Sequence, residues 1–137
     1  MRLPEVKFHI YPTDCDMLGH LNHATMLSFL ERARWALLEP QIDTKNWTRQ
    51  PVFSVVRHVD IGYLAQSLPG EDLLITSGLL AVKNTSYIVR QEVRKVGSDV
   101  KVAEANIVFV SVDQTGTPVR VPDEWRQMLP QWPEAAY

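Results

Sequence analysis

Two carboxylates, one thiol and two imidazoles fall within ten residues, in the run Asp14-Cys15-Asp16-Met17-Leu18-Gly19-His20-Leu21-Asn22-His23. A carboxylate set just ahead of a helix can attack an acyl carbon or take a proton from an attacking water. The helix behind it offers unpaired N–H groups and the positive end of a macrodipole, both suited to a developing oxyanion. Asp16 is the first candidate for such a carboxylate, although spacing alone equally allows it to cap a turn. Asp14 reads as a structural Asx-type contact of the same loop. Cys15 alternates away from both carboxylates and reads as a small buried hydrophobe rather than a nucleophile paired with His20 or His23. The two histidines and two aspartates include metal-ligand types. However, His-x-x-His across a helix start lacks the i, i+4 spacing that sets two ligands on one helical face. No metal and no cofactor is expected.

These groups need a helix behind them, and the next residues supply it. Asn22 is a good N-cap. Met26, Leu27, Leu30, Ala33, Leu37 and Leu38 recur at three- and four-residue intervals, which predicts a helix over 23–38 that Pro40 stops. Phe29, Arg34 and Trp35 interrupt its polar face, so the helix is expected to be wrapped on more than one side. Glu31 and Arg34 stand three apart and are expected to pair with each other. Gly19 can take the positive φ that the preceding loop needs.

Around the helix the period changes to two. Val6, Phe8 and Ile10 predict a short strand. After an aperiodic loop over 41–50, four longer strands are expected over 53–63, 73–82, 87–95 and 100–112. Turn signals at 68–72, 84–86, 97–99 and 113–116 separate or end them. Arg57, His58 and Asp60 fall inside the first of these long strands. Pro122 suits the first turn of a short helix over 123–128. A helix laid on one face of an antiparallel sheet is an α+β architecture. Strands this long can curl around the helix, and their edges would expose unpaired backbone that a second copy of the chain can cover. The 137 residues are read as a single domain, 1–137.

Bulk composition excludes other classes. Net charge is −2, and Lys and Arg are not clustered, so no nucleic-acid partner is expected. No apolar run approaches the roughly 20 residues of a membrane span, and residues 1–6 carry no apolar signal segment. A lone cysteine fits a reducing cytoplasm.

The Asp14-Cys15-Asp16 motif is followed by Gly19 and His23, then by Glu31-Arg32-Ala33-Arg34 and Ile61-Gly62-Tyr63. Gly70-Glu71-Asp72, Thr85-Ser86 and Val121-Pro122 complete the set. In these the chain resembles, over nearly its whole length, the 4-hydroxybenzoyl-CoA thioesterase-like branch of the hot-dog fold acyl-CoA thioesterases. The resemblance implies a five-stranded antiparallel sheet wrapped around a long central helix. It also implies homodimers joined edge to edge, often assembled further into homotetramers. It implies hydrolysis of an acyl-CoA to a free carboxylic acid and CoA, with Asp16 as nucleophile or general base. The backbone N–H of His23 would hold the oxyanion, and the His23 imidazole would assist by orienting water. Gly19 and Tyr63 belong to the substrate site in this reading. Met26, where relatives with the histidine carry an aromatic residue, would shape the acyl pocket. Lys83, Thr85 and Ser86 would meet the CoA phosphates, reaching them from the neighbouring subunit. Two alternatives are an acyl-ACP thioesterase, for which no basic cluster is visible, and a non-catalytic acyl-thioester binding protein. A hydratase or dehydratase does not fit the Asp and His spacing.

Overall fold

The computed structural model describes residues 3–133. The alternating segments form β1 (Glu5–His9), β2 (Val52–Tyr63), β3 (Asp72–Val82), β4 (Ser86–Lys95) and β5 (Lys101–Asp113). They make one antiparallel sheet in the order β1-β3-β4-β5-β2. The apolar three-and-four repeat forms α1 (His23–Leu38), with the bounds that the periodicity gives. The sheet wraps the helix, which is the hot-dog arrangement expected.

The wrapping is lopsided. Met26, Phe29, Leu30 and Ala33 are the buried residues of α1. Phe29 stacks on Phe8 of β1, with ring centroids 5.0 Å apart. The sheet therefore closes on the helix from the β1 side, and Phe29 takes an inward position that the simple stripe did not give it. Leu27, assigned to that stripe, is 38% exposed. It faces the more open side, toward β2.

Small and polar residues let the helix come close to the sheet. Ser77, Gln91 and Ala105 stand in register across β3, β4 and β5. Gln91 is fully buried. Its Nε2 donates to the Leu30 carbonyl of α1 and to Ser77 Oγ, both at 3.0 Å. Its Oε1 accepts from Arg34 Nη1 at 3.0 Å. The Arg34 guanidinium also lies over Phe109, 5.2 Å from the ring centroid. This corrects the expected Glu31–Arg34 pair: among the described residues no contact within salt-bridge distance joins them, and Arg34 turns into the protein. Burial lowers the Arg34 pKa, and the nearby Glu31 carboxylate partly offsets that.

The opposite face of the sheet is ionic. Glu92 and Glu104 stand directly opposite each other, an arrangement that would repel without counter-charges. Arg90 Nη2 bonds both, at 2.8 and 3.1 Å, and Lys101 Nζ lies 3.5 and 3.0 Å from them.

The two sheet edges differ. β2 skips a register between Val56 and His58, so Arg57 is the extra residue of a bulge. Val55, Val56, Val59 and Tyr63 on this edge strand are exposed. At the other edge β1 is only five residues long. Past its end the C-terminal segment continues the pairing. Leu79 N–H donates to the Pro130 carbonyl at 2.9 Å, and Trp132 N–H donates to the Leu79 carbonyl at 2.7 Å. Gly78 makes room for this, since a Cβ there would meet Leu3, Trp132 and the Pro130 carbonyl at 3.0–3.2 Å. The helix expected over 123–128 is a 3-10 helix, Asp123–Gln127, with Pro122 at its N-cap. Among the described residues no helix is long and apolar enough to cross a membrane.

Replacing Gln91 with Leu strands Ser77 Oγ and a guanidinium N–H in the interior. Urea unfolding of Gln91→Leu should show a loss of about 2–4 kcal/mol. Acid should act through Glu104, whose hydrogen bond from Lys101 holds its carboxyl below the ordinary range. A lowered folded-state pKa means that the unfolded chain binds the proton first, so this contribution is present above about pH 4.3 and fades as pH falls through the lowered value. Melting temperature should therefore drop below that pH, and less steeply in Glu104→Gln.

Candidate active site

The candidate site is built at the N-terminus of α1. Asn22 has the extended backbone of an N-cap, and its Oδ1 accepts from Ala24 N–H at 2.8 Å and Thr25 N–H at 3.3 Å. Its carbonyl takes the first intrahelical bond, from Met26 N–H at 3.0 Å. Among the described residues the backbone N–H of His23 donates to no partner. The helix thus presents one free N–H beside its positive end.

The preceding loop places Asp16 at this end. Asp16 N–H donates to the His20 carbonyl at 2.9 Å, and Gly19 N–H donates to the Asp16 carbonyl at 3.0 Å. Gly19 closes this turn with φ +80°, a conformation that costs a glycine little. One carboxylate oxygen, Asp16 Oδ1, accepts from Leu18 N–H at 3.0 Å and His20 N–H at 3.2 Å. The side chain thus caps its own turn through one oxygen. Oδ2 has no hydrogen-bond partner among the described residues, and Asp16 is exposed with no ion pair among them.

The neighbours sort by chemistry. Asp14 accepts from Tyr11 N–H at 2.9 Å, which pins the loop. Cys15 forms a bridge with Leu21 and packs partly against the core. Desolvation and then the two flanking carboxylates push its thiol pKa up, the opposite of what a nucleophilic cysteine needs. Tyr63, at the end of β2, donates its hydroxyl to the His23 carbonyl at 2.7 Å, and its ring meets the His23 ring edge-on, 6.4 Å between centroids. Partial burial raises the Tyr63 pKa, so the hydroxyl stays a donor. Among the described residues no three His, Cys, Asp or Glu side chains converge as a metal site would need.

Other residues singled out from sequence lie elsewhere. Met26 is buried in the core, one turn into the helix. Lys83, Thr85 and Ser86 form the turn between β3 and β4, where Lys83 N–H donates to the Ser86 carbonyl at 2.7 Å. That turn is at the far end of β3 from Asp72, on the order of 30 Å along the strand. Within one chain it is not brought to Asp16.

Two cavities follow α1 away from the site. A groove of about 260 Å³ between α1 and β2 is lined by Leu27, Ser28, Val56 and Val59. A chamber of about 380 Å³ lies at the C-terminal half of the helix, against Trp35, Trp47, Tyr87 and Phe109. Sequence reasoning missed both. Trp35 and Arg34 show as intrusions on the polar face of the helix, but nothing in the aperiodic loop 41–50 signals that Trp47 folds back onto Trp35.

The sequence matches the family model of the thioesterase-like superfamily over residues 10–129. It is 34% identical over 118 residues to the long-chain acyl-CoA thioesterase FadM of Escherichia coli K12, covering 85% of this chain and 89% of that protein. Among solved structures, the probable thioesterase YbaW of Escherichia coli is 30% identical with a TM-score of 0.79, covering 90% of this chain and 94% of that one. Slr0204, a 1,4-dihydroxy-2-naphthoyl-CoA thioesterase from Synechocystis, shares the fold at 16% identity and a TM-score of 0.83, covering 90% of this chain and 93% of that one.

Proposed function

The chain belongs to the thioesterase-like superfamily, and from that premise we propose that it hydrolyses an acyl-CoA to the free acid and CoA through Asp16. The observation that carries this reading is the divided carboxylate: Oδ1 is fixed by two backbone N–H groups while Oδ2 stands free at the mouth of α1. Fixing one oxygen orients the other without neutralising it. The unpaired His23 N–H is the donor for the carbonyl oxygen as charge develops on it. In the nucleophilic route Oδ2 bonds the acyl carbon, the C–S bond breaks, and CoA leaves as a thiolate that takes a proton. Water then opens the mixed anhydride. In the general-base route water adds to the acyl carbon and gives its proton to Asp16 before the thiolate departs. The His23 imidazole, exposed at the helix start, orients that water in either route, and Tyr63 holds the His23 peptide in place. Gly19 keeps the Asp16 turn tight.

The working unit in this reading is a pair of chains, each acting as one domain over 1–137. The exposed apolar edge of β2 supports it. Tyr63 ends β2 beside the helix start and Val52 begins it at the opposite end. Antiparallel pairing of two β2 edges therefore carries the Lys83–Ser86 turn of one chain toward the Asp16 end of the other. Lys83, Thr85 and Ser86 would then serve the CoA phosphates across the interface.

Asp16→Asn keeps the Oδ1 acceptor and removes the charge. Release of CoA thiol should fall by about 10²–10⁴ while the melting curve stays in place; turnover near the original level would reject Asp16 as the reacting group. Light scattering should give at least twice the chain mass, and Val56→Arg should shift it toward a single chain. A lone chain at micromolar concentration in the unaltered protein would remove the two-chain site.

A further inference from the structure

We infer that Glu71 is a positioning residue for Asp16, because its side chain closes a turn that grips the Asp16 loop at both ends. The inference rests on the reading of Asp16 as the reacting group. The loop is a small hairpin. Cys15 bridges Leu21, Asp16 N–H donates to the His20 carbonyl at 2.9 Å, and Asn22 N–H donates to the Asp14 carbonyl at 3.0 Å. These bonds join the two arms to each other. The turn over 67–71 joins them to the sheet. On the exit arm, Leu21 N–H donates to the Ser67 carbonyl at 2.8 Å. On the entry side, Gly70 N–H donates to the Ile10 carbonyl at 2.8 Å, and Ile10 N–H donates to the Glu71 carbonyl at 2.9 Å. Ser67 and Ile10 are buried, so these bonds lie where water does not replace a lost partner.

Glu71 keeps that turn closed. Its Oε1 accepts from Leu68 N–H at 2.6 Å, and its own N–H donates to the Leu68 carbonyl at 3.1 Å. Leu68 and Glu71 are thus locked by two reciprocal bonds, and the carbonyl offered to Leu21 belongs to the residue just before them. Among the described residues the Leu68 N–H has no other acceptor. Lys95, the last residue of β4, lies 3.2 Å from Oε2 and ties the carboxylate to the sheet. The Leu68 N–H, with Lys95 behind it, holds the Glu71 carboxyl below its ordinary range despite partial burial, so the side chain stays an ionised acceptor. Without that side chain the turn keeps one of its two closing bonds, and the Ser67 carbonyl loses its fixed place. Asp16 then loses the aim on which its rate depends. Because Glu71 acts through the loop and not on the acyl group, the loss falls on kcat and not on KM.

The test compares Glu71→Ala with Glu71→Gln, which keeps an oxygen acceptor for Leu68 and removes the charge. Thiol release by Glu71→Ala should show kcat down by about tenfold or more, with KM within about twofold of the unaltered protein. Glu71→Gln should recover kcat to within about threefold. Added to Asp16→Asn, Glu71→Ala should cost less than about twofold in the residual rate, because two changes on one route do not add. Hydrogen exchange reads the grip without turnover. The Leu21 amide should exchange about tenfold faster in Glu71→Ala, while the amides of the central strand β4 keep their protection and show that the variant is folded. Lys95→Met, which removes the anchor of Oε2 alone, should move kcat and Leu21 exchange the same way by about twofold to threefold, and it decides the matter if Glu71→Ala does not fold. Unchanged Leu21 exchange, a Glu71→Gln as slow as Glu71→Ala, or an equal loss in the Asp16→Asn background would overturn the assignment. Absence of thiol release from every acyl-CoA by the unaltered protein would instead reject hydrolysis, while the exchange rates would still decide whether Glu71 grips the loop.

Discussion

Gln91 is the contact on which the geometry of this protein depends. It is a polar side chain with no exposure, placed in one row of the sheet with Ser77 and Ala105. Its amide joins the backbone of α1 at Leu30, the hydroxyl of Ser77 on β3 and the guanidinium of Arg34. A purely apolar contact would let the helix slide or rotate over the sheet at little cost, because burial is not directional. Hydrogen bonds in a dry interior are directional and costly to leave unmade. One amide therefore fixes both the height and the rotation of α1, and with them the first turn of the helix and the inward position of Arg34.

That rotation decides which residues face each side of the helix. The β1 side is closed, with Phe29 stacked on Phe8. The β2 side is left open, with Leu27 and the valines of β2 facing a groove. Substrate-sized space lies on that flank, which begins next to the helix turn whose N–H is unpaired. Tyr63 strengthens the link, since its hydroxyl ties the end of β2 to the His23 carbonyl.

Much of this was legible in the sequence, and the gaps have physical reasons. The helix runs from His23 to Leu38 because an N-cap, a sustained apolar period and a following proline all agree. The strands were readable for the same reason, as were the Asp16 turn and its glycine. Leu27 and Phe29 were misassigned because periodicity reports a stripe, while the direction from which a sheet wraps it is a tertiary fact. Arg34 was read as a surface partner of Glu31, since sequence spacing finds an i, i+3 neighbour but not a buried glutamine 57 positions away. Arg57 was placed in the strand by its neighbours' alternation, and only the register skip beside it identifies a bulge. Trp47 lies in a loop without period, so its place in the chamber wall had no sequence signal.

The C-terminal strip along β3 has a consequence for how such chains can stack. Sheets that pair head-to-tail through two different borders keep adding copies and grow into fibres, whereas pairing through one self-complementary border closes on itself. Here one border is short, carries Lys7 and His9, and has the Pro130–Trp132 strip beyond it, seated against the bare α-carbon of Gly78. The other border is long and apolar. Strand addition through the long border alone would pair two copies and stop there. A single methyl at position 78 would press on Leu3, Trp132 and the Pro130 carbonyl and loosen the seat of the strip that covers β3 beyond the short border.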